Sequence, residues 1–137
     1  MQNQKRKHVL EDEGTVLDMA RERFDQIWEE FDEVWLAFSG GKDSGAVLNM
    51  AMDAWDRNGP FLDENGEPYP IQVVHHDDEF AYPETEEYIK RCLDKWGGDR
   101  INFHWCVMPM KYGNGCTFGE KYWYTWVEED KDSWLRD

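Results

Sequence analysis

The sequence predicts an α/β fold: a doubly wound, mostly parallel sheet in an incomplete or minimal version. Three observations predict it. Helical and strand-like apolar patterns alternate from residue 15 to residue 107. An apolar run, a glycine turn and a helical pattern follow one another without a break between residues 33 and 57. A second apolar run, Ile71 to His76, ends in a polar cluster at what would be the same end of the sheet. A chain of 137 residues is one domain. We divide it into a flexible N-terminus over 1–14 and a domain over 15–137, whose last part, 108–137, is an aromatic segment.

Residues 1–14 are polar, with Lys5-Arg6-Lys7 followed by Glu11-Asp12-Glu13, and read as a solvated tail rather than a binding patch. Val16, Ala20, Phe24, Ile27 and Phe31, widened by Leu17 and Trp28, form a helical stripe with Thr15 as N-cap. This helix is expected to pack on the sheet and carry no chemistry. Residues 33–38 form the first strand, and its unbroken apolar run, Val34 to Phe38, predicts burial on both faces. The next helix, Gly45 to Arg57, would turn Ala46, Val47, Met50, Ala51 and Ala54 inward and end at Asn58-Gly59-Pro60. Residues 60–70 read as a surface loop or short excursion. Pro83 opens a third helix with the stripe Thr85, Tyr88, Ile89, Cys92, Leu93 and Trp96, stopped by Gly97-Gly98. Ile101, Phe103, Trp105 and Val107 alternate with polar residues, as in an edge strand with one exposed face. The dense aromatics of 108–137 must pack or bind; packing is favoured over base stacking because the stretch is also acidic.

The turn in the strand–turn–helix unit is Ser39-Gly40-Gly41-Lys42-Asp43-Ser44. Glycines allow φ > 0 and close approach of the backbone to a ligand. The first N–H groups of a helix have no intrahelical partner and face an anion with the positive end of the dipole behind them. Ser39 and Ser44 can donate hydroxyl bonds, and Lys42 can neutralise a phosphate oxygen. Asp43 would repel a bare phosphate, so its presence suggests Mg²⁺ held between its carboxylate and the phosphates. The spacing is not that of the Walker loop. The competing reading is a glycine-rich turn with a surface Lys-Asp pair.

Composition narrows the partners. Thirty Asp and Glu stand against fifteen Lys and Arg, for a net charge of −15. Such a surface repels nucleic acid and anionic membranes. It fits a protein adapted to molar salt, where the Debye length is about 3 Å, or simply an acidic cytoplasmic protein. Cys92, Cys106 and Cys116 show no paired spacing, which argues against a zinc or iron–sulfur site made by this segment and against a disulfide framework. No signal-peptide pattern and no long apolar stretch is present, so a soluble, cytoplasmic protein is expected.

His75-His76-Asp77-Asp78-Glu79 closes the second strand. A metal site is one reading, weakened because adjacent strand residues point to opposite faces. The favoured reading makes this strand end a nucleotide pocket, with backbone groups near His76 reading the base and Asp77 or Asp78 beside Mg²⁺ or ribose. A solvated acidic loop is the third.

Ser39 to Ser44 resembles the pyrophosphate-binding loop of the ATP pyrophosphatase (PP-loop) superfamily, and the stretch from Trp35 to Leu48 resembles the phosphoadenosine phosphosulfate (PAPS) reductase family. Asp77 followed by Tyr82-Pro83-Glu84-Thr85 matches that family's second motif. The tail, Trp105-Cys106-Val107-Met108-Pro109 with Trp123, Trp126 and Trp134, is similar to the branch typified by the IbrA prophage co-activator. The resemblance implies an adenine nucleotide alpha hydrolase-like fold. It also implies an adenine nucleotide, ATP or a PAPS-like compound, with its phosphates on Ser39, Gly40, Gly41, Lys42, Asp43 and Ser44 and its edge at Asp77. Lys42 and Asp43 would then be the reacting-centre residues, Asp43 the magnesium ligand. The family's catalytic cysteine in a Glu-Cys-Gly setting is absent; Cys116 does not replace it, and the intact loop favours chemistry at the α-phosphate of ATP. Two alternatives stay open: a nucleotide-binding regulator without turnover, and a tRNA-thiolating PP-loop enzyme. The first strand is expected to carry both other strands on one side, leaving an apolar edge for self-association or for a second polypeptide that completes the sheet. The aromatic tail could instead fold back over that edge. The resembling proteins continue into a further segment with basic substrate-binding residues, so weak nucleotide binding and little turnover are expected of this chain alone.

Overall fold

A computed structural model describes residues 14–116 and 118–135. The expectations for the basic triplet and the rest of the tail before Gly14 lie outside the described residues.

Helix α1 (Val16–Glu30) begins at Thr15, whose side chain and that of Asp18 form a reciprocal capping box. Strand β1 (Trp35–Ala37) leads through the glycine turn into α2 (Lys42–Asn58). A small hairpin of β2 (Phe61–Leu62) and β3 (Pro68–Tyr69) precedes β4 (Ile71–Asp77), α3 (Pro83–Trp96) and β5 (Ile101–Val107). A second hairpin, β6 (Met110–Gly113) with β7 (Tyr122–Thr125), leads to a 3₁₀ turn at Glu128–Ser133.

The main sheet is parallel, in the order β1-β4-β5. Both crossovers step the same way across it, so α2 and α3 lie on one face, as right-handed connections require. Leu36 and Phe38, Ile71 and Val73, and Ile101 point to that face and join Leu48, Ala51, Met52 and Trp55 of α2 and Ile89 and Cys92 of α3 in one core.

The opposite face carries no helix among the described residues, and this corrects the expectation that the first strand is buried on both sides. Leu36 is buried, but Trp35 is 58% exposed and Ala37 is exposed. Trp35 stacks on His104 at 5.0 Å, and buried Gln72 accepts from Asn102 and bonds the His104 ring across the open side. As expected, β4 lies beside β1 and β5 forms the far edge.

Two further expectations shift. Helix α1 packs along α2 rather than on the sheet: none of its residues is fully buried, and Trp28 stacks on Phe61 at 4.5 Å. The inner face of α2 runs through Gly45, Leu48, Ala51, Met52, Ala54 and Trp55, whereas Ala46 and Val47 face out. Its phase is set where Gly45 passes under the Tyr88 hydroxyl, at which a Cβ would sit 2.6 Å from that oxygen. Among the described residues no strand of the aromatic tail pairs with β1. Trp126 is buried against the end of β4, donating from Nε1 to the Asp77 carbonyl, and Phe80 packs edge-on against Tyr112 and Trp123 of the second hairpin. No helix among the described residues is long and apolar enough to cross a membrane.

Candidate functional site

The glycine turn sits where β1 ends and α2 begins, and three interactions shape it. Phe38, the last buried residue before the turn, donates its N–H to the Val74 carbonyl at 2.8 Å. Its own carbonyl lies 2.8 Å from Nδ1 of buried His75. A carbonyl only accepts, so Nδ1 donates, and Nε2 is buried without a hydrogen-bond partner among the described residues. His75 is held between Trp105 at 4.9 Å and Phe103 at 6.4 Å. The turn therefore departs from a strand end stitched to β4 by main chain and side chain.

Gly40 then adopts φ +77°, in the left-handed region, and a Cβ there would come within 2.8 Å of Thr85 Cγ2 and 3.0 Å of Ile89 Cδ1. The turn is seated on α3 at a place where only a bare α-carbon fits. Gly41, at φ −80°, is ordinary extended backbone and serves as N-cap of α2 without a side chain to cap it. The first N–H groups of a seventeen-residue helix thus face outward with no side-chain cap, in contrast to α1. Ser39 Oγ and Ser44 Oγ lie 3.0 Å apart, and Ser44 Oγ donates to the Gly41 carbonyl at 3.1 Å. Ser39, Gly41, Lys42 and Asp43 are exposed; Gly40 and Ser44 are half-buried. Below the turn, Tyr88 is pushed above its usual pKa by its contact with the Cys92 thiol and by burial.

These features fit a polyphosphate with a divalent cation: outward backbone donors at a helix start, two hydroxyls, one ammonium and one exposed carboxylate, around a backbone that a side chain would obstruct. The second cluster divides. His76 lies two residues beyond the last register pair, Ala37–Val74, and shares the open-face parity of Trp35 and Ala37. Asp77 has the opposite parity. Its carboxylate accepts from the Glu79 N–H at 2.8 Å and from Trp105 Nε1 at 2.9 Å, and it is almost wholly buried. Ser39 to Ser44 come together in the turn, and His76 lies on the open face of β4; Asp77 turns toward α3 and the aromatic tail. Among the described residues no group of three or more His, Cys, Asp or Glu could hold a metal ion by itself.

Four residues take roles that the sequence reading did not give them. His75, read there as one of the strand-end cluster, bonds Phe38 across 37 residues. Glu79, at φ +69°, accepts from the N–H groups of Trp126 and Leu135, pinning the tail to the end of β4. Thr85 and Ile89 read as an ordinary helical stripe, yet they form the seat of Gly40.

Comparison with known proteins agrees with this architecture. Residues 33–126 match the phosphoadenosine phosphosulfate reductase domain, running from the residue before Val34 to buried Trp126. The chain is also 26% identical over 121 residues to the uncharacterized protein YbdN of Escherichia coli strain K12, an alignment covering 88% of this chain and 27% of that protein. The chain thus spans about a quarter of the length of this curated relative. With its parallel sheet, its glycine turn and a match over most of its length, the chain belongs to the phosphoadenosine phosphosulfate reductase domain family.

Proposed function

We propose that the chain binds an adenine nucleotide, ATP or a PAPS-like compound, with its phosphates on Ser39 to Ser44. We further propose that it acts as a PP-loop protein at the α-phosphate of ATP or on an adenylylated sulfur compound. The observation that carries this reading is Gly40: positive φ and a seat on Thr85 and Ile89 that admits no side chain, directly before the uncapped start of α2. In this reading the α2 N–H groups and the hydroxyls of Ser39 and Ser44 bind and orient the phosphates. Lys42 neutralises charge, and Asp43 holds Mg²⁺. The cation supplies charge neutralisation and Lewis acidity when bound. His76 borders the nucleotide from the open face of β4, while Asp77 acts one step back by fixing the strand end.

One observation favours a regulator without turnover as a second reading. Among the described residues β1 is an edge strand, so within them β4 alone flanks it beside the turn. The likeness of the tail to the co-activator branch points the same way. The net charge of −15 disfavours a tRNA-thiolating role.

Calorimetry with ATP and Mg²⁺ tests binding. Lys42→Ala and Asp43→Ala should each weaken it by about 1–3 kcal/mol, the scale of a lost hydrogen bond to a charged group. Unchanged affinity in both variants would end the reading. Pyrophosphate release from ATP then separates the enzyme from the regulator.

A further inference from the structure

The main chain of Phe38, the residue before the glycine turn, is held at both of its polar groups. Its N–H donates to the Val74 carbonyl at 2.8 Å, and its carbonyl accepts from His75 Nδ1 at 2.8 Å. The second bond is not a rung of the strand ladder. The last register pair is Ala37–Val74, and beyond it a side chain of β4 takes the carbonyl. The turn starts from that held peptide. Ser39 Oγ accepts from the Gly41 N–H at 3.3 Å and lies 3.0 Å from Ser44 Oγ, while Gly40 sits against Thr85 and Ile89.

For the fold alone, a histidine at this place is unfavourable. The residue is 3% exposed and its ring lies between Phe103 and Trp105. Its Nε2 is buried with no hydrogen-bond partner among the described residues. An orphaned polar atom in an aromatic cage lowers stability, and an apolar side chain of similar size would remove that loss. What the apolar side chain could not supply is the donor to Phe38. Departures of this kind from the rules of a stable core concentrate at functional sites.

We propose that His75 is a positioning residue of the phosphate turn. Its Nδ1 holds the peptide joining Phe38 to Ser39, and so sets the direction in which Ser39 Oγ and the first N–H groups of α2 meet a phosphate. The inference rests on the reading of Ser39 to Ser44 as a phosphate site. The test is calorimetry of the full chain with ATP and Mg²⁺, with Tm measured in parallel. His75→Leu removes the donor and should raise Kd about tenfold or more. His75→Asn carries an amide nitrogen where Nδ1 stood and should bring Kd back to within about threefold of wild type. Ile101→Val, in the same core, should lower Tm and leave Kd unchanged. Wild-type affinity in His75→Leu, no recovery in His75→Asn, or an equal rise of Kd in Ile101→Val would each overturn the proposal. Should His75→Leu not fold, the His75 Nδ1–H resonance of wild type decides. It should shift in step with the Gly40 and Gly41 amides as ATP and Mg²⁺ are added, and a signal unmoved at saturation overturns the proposal. A wild-type chain that binds no ATP ends the phosphate-site reading and this inference with it; any of the other failures, with wild type binding, ends this inference alone.

Discussion

Gly40 bears two constraints at once, a left-handed backbone and contact with the side chains of α3. An L-residue there is strained by about 1–2 kcal/mol before any clash is counted. Gly40→Ala should therefore lower stability by about 1–3 kcal/mol and reduce nucleotide affinity. Gly41→Ala is the control: its φ is ordinary and a Cβ would meet only Ser39 Oγ, at 3.4 Å. Urea denaturation of the pair decides it, and equal midpoints would mean that the seat on Thr85 and Ile89 yields freely. The special role of Gly40 over Gly41 was not legible in sequence, because both glycines satisfy the same motif. The choice is made by α3, whose Ile89 stands 49 residues away.

Of the three α-helices, α1 depends least on the core. Besides Phe24 and Trp28, it is tied to α2 by an ionic cluster. Arg21 bonds both Asp53 oxygens at 3.1 Å, Arg57 bonds Asp53 at 3.0 Å and also Asp25, and Asn58 donates to Asp25 at 2.7 Å. The Arg21 bond, with Arg57, holds Asp53 below the usual carboxylate range; Asn58, with Arg57, does the same for Asp25. A carboxylate with a depressed folded pKa contributes stability above its unfolded value of about 3.9 and loses it as pH falls through the folded value. Acid should therefore loosen α1 below about pH 4 before the sheet gives way. Hydrogen exchange along α1 compared with β4 measures this. In Asp53→Asn the loosening should already be present at neutral pH, and simultaneous loss of α1 and β4 protection at low pH would refute the ordering. Helix α1 itself was legible from its stripe and its Thr15 N-cap. Its docking partner was not, since Arg21 to Asp53 is a contact 32 residues apart that periodicity cannot report.

At the scale of the molecule, charge and edge act together. A net charge of −15 on 137 residues makes the compact state self-repelling when unscreened. The melting temperature should rise steeply from low salt to molar KCl, although the α1 cluster alone would weaken; a flat curve would count against adaptation to salt. The same screening removes repulsion between copies, while β1 offers an edge that no strand among the described residues pairs, with exposed Trp35 beside it. Light scattering in molar KCl should then show association that Ala37→Lys, on the open face, reduces. A wild-type chain that stays monomeric at high concentration in that buffer would show that the edge is protected in another way.

The strand order β1-β4-β5 followed from the family resemblance and rests on pairings far apart in the chain, such as Trp35 with Gln72. The order of helices and strands, the glycine turn and the capping of α1 were determined by local chemistry. Each depends on residues within a few positions of one another: an apolar run, a 3.6-residue stripe, a Thr-x-x-Asp box, a glycine pair before a helix. The tertiary structure decided which face of β1 is open, because an apolar run reads alike whether one helix layer or two cover the sheet. It also decided that α1 lies on α2, that the phase of α2 follows Gly45, and that Asp77 and Glu79 brace the aromatic tail instead of facing the turn. Those outcomes depend on contacts between residues 28 to 56 positions apart, such as Trp105 with Asp77 and Leu135 with Glu79. Only the packed chain brings such pairs within bonding distance.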